Sequence, residues 1–135
     1  MAMKTALFTI GYEGRALDEF LGVLAKAKID RLIDVRSLPL SRRRGFSKTP
    51  LREALAAAGI EYVHLRSAGN PFRKDPDGVE KYREYLPPQA VDDVAEVARG
   101  HRAALLCYEA DVATCHRGVL APHVGKALGV GVRDL

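Results

Sequence analysis

At 135 residues, with 47% hydrophobic and 28% charged residues, the chain is expected to form one soluble globular domain, 1–135, with a sizeable core, and the composition disfavours disorder. No apolar run approaches the ~18 residues of a membrane span, and the start MAMKTALFTIGYEG lacks the apolar region and cleavage site of an export signal, so a cytoplasmic protein with no membrane partner is expected. Two cysteines argue for reduced thiols and against a disulfide framework, and a net charge of +4 suits an acidic partner without requiring one.

Ala6 to Ile10 is mostly apolar and rich in β-formers, and Gly11 follows at once, so a first strand breaks into the loop GYEGR. Leu17, Phe20, Leu21, Leu24 and Ala27 recur at helical spacing. RLIDV, residues 31–35, reads as a second strand. Between Arg36 and Arg52 lie six basic residues and no acidic one. Thr49 and Pro50 are a favourable cap and first position for a helix that stops at Gly59. IEYVHL, residues 60–65, alternates as a third strand, and residues 67–78 hold enough glycine and proline for an irregular loop of the kind that often carries function. A short helix before Pro87 and a stronger one over residues 89–99 lead to a fourth strand, Ala103 to Cys107. Thr114 is expected to cap a last helix with Cys115, His116 and Arg117 in its first turn, Pro122 to kink or interrupt it, and a short strand to end at Leu135. Alternating strands and helices predict a Rossmann-like, three-layer α/β/α fold with a mostly parallel sheet, of proposed order 3-2-1-4-5. In that order Gly11, Arg36 and Glu109 meet at a crevice outside the strand ends.

The segment CYEADVATCHR, residues 107–117, places two thiols, two acids, an imidazole and a guanidinium within eleven residues, a mixture that a packed core does not use. At a helix start, Cys115 beside His116 and Arg117 is favoured as thiolate, and the free amides with Arg117 suit an anion. The bland alternative is a buried Cys107 and a Glu109–Arg117 ion pair. A zinc site is not expected, because neither the seven-residue gap between the cysteines nor the adjacent Cys115 and His116 is a recognised ligand spacing. No arginine stands six residues after either cysteine, so a thiol phosphatase loop is unsupported, and GYEGR does not make a dinucleotide glycine fingerprint. Asp34 and Arg36 share one side of a strand end. They either pair with each other, or Arg36 clamps an anion while Asp34 handles a proton.

TIGYEGR, DVRSLPLSRRRGFSK with IEYVHL, and LLCYEADVATCHR together resemble the bacterial and archaeal family known as domain of unknown function 488, from Thr9 to about Leu135. The resemblance implies a compact α/β domain and no settled reaction. It implies motif positions at Thr9, Gly11, Asp34, Arg36, Pro39, Ser41, Gly45, Phe46, Tyr62, Cys107, Glu109, Cys115, His116 and Arg117. Tyr12 stands where many relatives carry histidine, which implies that this side chain is not an obligatory proton carrier.

The leading expectation is an anion- or phosphate-recognising pocket, in an enzyme or binding domain acting on a phosphorylated or nucleotide-like ligand. Gly11, Tyr12, Arg36, Ser41, Arg42 and Arg117 would bind that ligand, while Glu109, Asp34, Cys115 and His116 would carry its chemistry. One alternative is a nucleic-acid-binding module in which the basic loop 36–52 follows a phosphate backbone and Phe46 stacks on a base. Another is a thiol redox or metal-linked role for Cys107 and Cys115. The sequence names no cofactor, no metal set and no oligomeric state.

Overall fold

The computed structural model describes residues 4–135; the first three residues of the start read above for an export signal lie outside them. The strands are β1 (Ala6–Gly11), β2 (Arg31–Asp34), β3 (Glu61–His64), β4 (Arg102–Cys107) and β5 (Val132–Asp134), all paired in parallel. Between them run α1 (Leu17–Lys26), α2 (Lys48–Ala57), α3 (Gly78–Tyr85), α4 (Pro88–Ala98) and α5 (Arg117–Leu128).

Successive strand residues point to opposite faces, and this divides the core in two. Phe8, Ile10, Leu32, Ala104 and Leu106 pack with Phe20 and Leu24 of α1 and Leu51 and Leu55 of α2. On the other face Leu7, Ile33, Ala103 and Leu105 pack with Val94 of α4 and Leu120 and Val124 of α5. The result is the expected α/β architecture, a parallel sheet with helices on both faces, consistent with a Rossmann-like fold.

The strand order is β3-β2-β4-β1-β5, which corrects the expected 3-2-1-4-5: β4 lies between β2 and β1, which were expected to be neighbours. Polar residues at the strand ends explain the exchange. Asp30, just before β2, accepts from the Arg102 amide at 3.0 Å and contacts His101 Nδ1 at 2.7 Å, while its own amide donates to the Arg102 carbonyl. Those three contacts stitch β2 to the start of β4. Across β1, the Thr9 hydroxyl donates to Asp134 at 2.6 Å and ties β5 to that edge. The expected adjacency of β1 and β4 holds, and the helices that follow them lie on opposite faces, which opens a crevice at their C-terminal ends.

Three local expectations are also corrected. Helix α2 is capped at Ser47, not Thr49, because the Ser47 hydroxyl closes the preceding loop by exchanging hydrogen bonds with the Ser41 backbone. Residues Val112–Thr114 form a short 3-10 turn capped by Asp111, Cys115 is extended, and α5 begins at Arg117. Pro122 lies inside α5 without ending it. A mid-helix proline costs about 3 kcal/mol, and burial of Leu120, Ala121 and Val124 on both sides of it offsets that penalty. Among the described residues no helix is long and apolar enough to cross a membrane.

Candidate functional site

β2, β4 and β1 end side by side, with Asp34 opposite Leu106 and Gly11 opposite Cys107. The loops leaving them are joined. The Tyr108 carbonyl accepts from the amides of Tyr12 and Glu13, and the Glu13 carboxylate accepts from the Ala110 amide at 3.0 Å. Gly11 makes this junction possible: a Cβ there would stand 1.9 Å from the Glu109 carbonyl oxygen.

Asp34 is wholly buried and Arg36 nearly so. The Asp34 carboxylate accepts from Arg36 Nε at 2.9 Å and Nη2 at 2.7 Å, and from the Tyr62 hydroxyl. Arg36 Nη1 donates to the Phe46 carbonyl at 2.7 Å and the Tyr12 hydroxyl at 3.2 Å. Burial alone would lower the Arg36 pKa, but Asp34 outweighs it and raises it. Burial, then the Asp34 charge, push the Tyr62 phenol up. Of the two accounts weighed for this pair, mutual pairing is the geometry present. Asp34 faces no open space in which to move a proton, whereas Arg36 still borders the cavity described next.

A polar concavity at the C-terminal ends of β1, β2 and β4 has a volume of about 450 Å³. Tyr12, Arg36, Ser41 and Arg42 line it as the sequence led one to expect, together with Glu109 and His116. Gly11 supports it from behind through the Glu109 contact. The Ser41 hydroxyl is engaged in accepting from the Arg43 amide at 3.0 Å. Residues the sequence reading missed complete the lining: Ser37, Asn70, Arg73, Asp75 and Tyr108. The only signal for Asn70 to Asp75 was the glycine and proline content of their loop. Asn70 organises it, donating to the Gly78 carbonyl and accepting from the Phe72 amide, while Ser37 donates to the Asn70 carbonyl. Among the described residues neither the Arg42 nor the Arg73 guanidinium has a hydrogen-bond or ion-pair partner within the chain, and both are exposed.

Arg117 is the clearest departure. Its guanidinium is 2% exposed and donates to the carbonyls of Glu109 at 2.7 Å and Ala110 at 3.4 Å. It braces the loop after β4 from beneath and does not border the cavity, so it neither clamps an anion there nor pairs with the Glu109 carboxylate. Phe46 is likewise removed from the surface. It is fully buried, stacked on Tyr12 with centroids 4.5 Å apart and edge-on to Phe20, so it cannot stack on a nucleobase. Leu38 at 51%, Leu40 at 65% and Tyr108 at 45% exposure are the apolar groups available at the cavity.

Cys107, Cys115 and His116 meet beneath the cavity, between it and α5, although seven residues separate the thiols. His116 Nε2 is 2.8 Å from the Val35 carbonyl and therefore carries a proton; in the neutral ring Nδ1 is left as acceptor toward Cys107 Sγ at 3.5 Å and Cys115 Sγ at 3.8 Å. The Cys107 thiol also lies 3.3 Å from Glu109 Oε2. Hydrogen bonding to Cys115, then burial, push the Cys107 thiol up. Burial opposes ionisation of Cys115 too, but contacts with Cys107 and His116 outweigh it and lower its pKa. Burial, then the nearby Cys115 charge, push the Glu109 carboxyl up. The two shifts run in opposite directions, Cys107 toward the thiol and Cys115 toward the thiolate. Cys107 and His116 border the main cavity, whereas Cys115 is turned toward a smaller crevice beside α5.

A family model described as domain of unknown function DUF488 matches residues 16–124. That span includes Asp34 to Phe46 and Cys107 to Arg117, while Thr9 to Arg15 lies outside it. No match was found among curated proteins or among solved structures. With most of its length covered by the family model, the chain belongs to the family of the domain of unknown function DUF488.

Proposed function

We propose that the protein is an enzyme that takes a phosphorylated, nucleotide-like small molecule into the cavity at the ends of β1, β2 and β4. The observation that carries this reading is the convergence of two unpaired arginines, Arg42 and Arg73, on a cavity of about 450 Å³ that also exposes Cys107, Glu109 and His116. Arginine forks match phosphate oxygens, and the volume suits a metabolite and not a macromolecule. Arg36 is neutralised by Asp34 and adds an N–H donor without adding net charge. Leu38, Leu40 and Tyr108 offer an apolar and aromatic surface for a base or other flat group. Glu109, whose pKa is raised by burial, is suited to hold or move a proton beside the bound group. Two reduced thiols fit a reducing compartment such as the cytoplasm.

Thermal-shift titration with inorganic phosphate and a set of nucleoside mono- and diphosphates tests the reading. At least one nucleotide should raise the melting temperature of the native chain, and the Arg42→Ala, Arg73→Ala double variant should keep its circular dichroism while losing that shift. Equal stabilisation of both proteins would sink it. For the stabilising ligand, Glu109→Gln should bind with unchanged affinity and lose turnover.

A further inference from the structure

We propose that Cys107, Cys115 and His116 form a three-ligand site for a divalent transition metal of the zinc type, beneath the cavity, with its open position on the side where Cys107 and His116 border it. The two sulfurs and Nδ1 all lie within 4.8 Å of one another. A tetrahedral ion with Zn–S of about 2.3 Å and Zn–N of about 2.0 Å sets S···N at about 3.6 Å, and the two sulfurs stand 3.5 and 3.8 Å from Nδ1. Both S···N separations therefore suit ligands of one ion, and the two sulfurs lie within 4.8 Å of each other.

The surroundings fit the same assignment. Metal-ligating histidines donate their other ring N–H to a carbonyl or carboxylate, which fixes tautomer and orientation. His116 does so through Nε2 to Val35, at 2.8 Å. The edge of the imidazole packs against the Tyr82 ring at 4.9 Å, and Tyr82 is held by its own hydrogen bond to the Ala68 carbonyl. All three ligands are buried, at 6, 2 and 6% exposure, so two thiols and an imidazole lie together with few other partners. Thiolate and imidazole together select zinc or a similar ion over magnesium or calcium.

Three protein ligands with a fourth position open mark the reactive class of zinc site, whereas structural sites are closed by four. The Glu109 carboxylate does not belong to the trio, but Oε2 lies 3.3 Å from Cys107 Sγ on the cavity side. Metal uptake by the two thiols releases whatever protons they carry to solvent and needs no oxidant. The proposal stands apart from the phosphate reading, since metal binding is measured with no other ligand present.

The full chain, reduced and freed of metal by a chelator, is titrated with zinc against a chromophoric competitor and separately with cobalt. One equivalent per chain is expected, with cobalt giving thiolate-to-metal charge transfer and tetrahedral visible bands. Cys115→Ser and His116→Asn should each lose affinity by more than the roughly 10–100-fold that loss of an outer partner costs, and Cys107→Ser should weaken the charge-transfer band. Arg42→Ala with Arg73→Ala should leave the stoichiometry at one, which separates failure of this site from failure of the phosphate reading. If a ligand variant does not fold, the cobalt spectrum of the native chain decides alone. Less than one equivalent bound, an octahedral spectrum without thiolate charge transfer, or a Cys107–Cys115 disulfide formed in preference to metal in the reduced, zinc-supplied protein would each overturn the proposal.

Discussion

Asp34 shows how much one buried carboxylate organises. It accepts from Arg36 and from Tyr62, and Arg36 in turn holds Phe46 and Tyr12 in place. Removing one partner of a buried pair leaves the other charge unpaired, at a cost of roughly 3–5 kcal/mol. Asp34→Ala should lose stability on that scale in denaturant unfolding, and Asp34→Ala with Arg36→Met should recover part of it. Tyr62 gives a pH signature. Its folded pKa is raised above the ordinary value near 10, so the stability it contributes is present below about pH 10 and is lost as pH rises through the folded value. Tyr62→Phe should flatten the alkaline limb of the stability profile, while absorbance titration of the native chain should show Tyr62 and Tyr82, also raised by burial, ionising late. At this scale the sequence was informative about Asp34 and Arg36, because residues two apart on a strand share a side. Tyr62 belongs to a different strand, and no local spacing relates it to Asp34.

At the scale of elements, the loops at the strand ends are closed structures. The basic stretch is tied by Lys48 donating to the Pro39 carbonyl, by the Ser41–Ser47 exchange, and by Arg43 Nε donating to the Arg15 carbonyl at 2.7 Å. Phe46 is its anchor. Phe46→Ala should cost roughly 3–5 kcal/mol, the usual toll for a buried aromatic; an exposed stacking residue would lose almost nothing in the same unfolding measurement. Gly11→Ala should destabilise by roughly 1–3 kcal/mol as the Tyr108–Ala110 loop is forced away from β1. Hydrogen exchange should show the Tyr12 and Glu13 amides losing protection in that variant, because both donate to Tyr108. Strands and helices were legible from apolar period and from glycine and proline. Helix starts were not: Ser47 competes with Thr49, and the Asp111-capped turn delays α5, through hydrogen bonds that the order of residues does not reveal.

At the scale of the whole molecule, placing β4 between β2 and β1 brings Arg36, Glu109 and Tyr12 around one cavity and puts Cys107 above His116. Five of the six cations of the basic stretch 36–52 are exposed: Arg42, Arg43, Arg44, Lys48 and Arg52. With Phe46 buried, the loop exposes no aromatic side chain of its own for stacking, and electrostatic attraction has to supply most of the hold on a nucleic acid there. Binding of short single-stranded DNA should therefore vanish by physiological salt, and the Arg42, Arg43 and Arg44 triple alanine variant should weaken what remains at low salt and flatten its salt dependence. Tight, salt-resistant binding would favour the nucleic-acid alternative over the small-molecule reading.

The sequence by itself determined the α/β class, the number of strands, the parallel sheet with helices on two faces, and the family, because each rests on apolar period, turn residues or motifs that are local in the chain. It also marked the two segments that build the candidate site, since charged and thiol-bearing residues next to buried strands have no use in a core. Only the tertiary structure decided which strand lies at the centre, that Arg117 braces a loop while Arg73 reaches the cavity, and that Cys107, Cys115 and His116 converge. Those outcomes depend on contacts between residues far apart in sequence, such as Asp30 with Arg102 and Val35 with His116. No periodicity or spacing encodes such contacts.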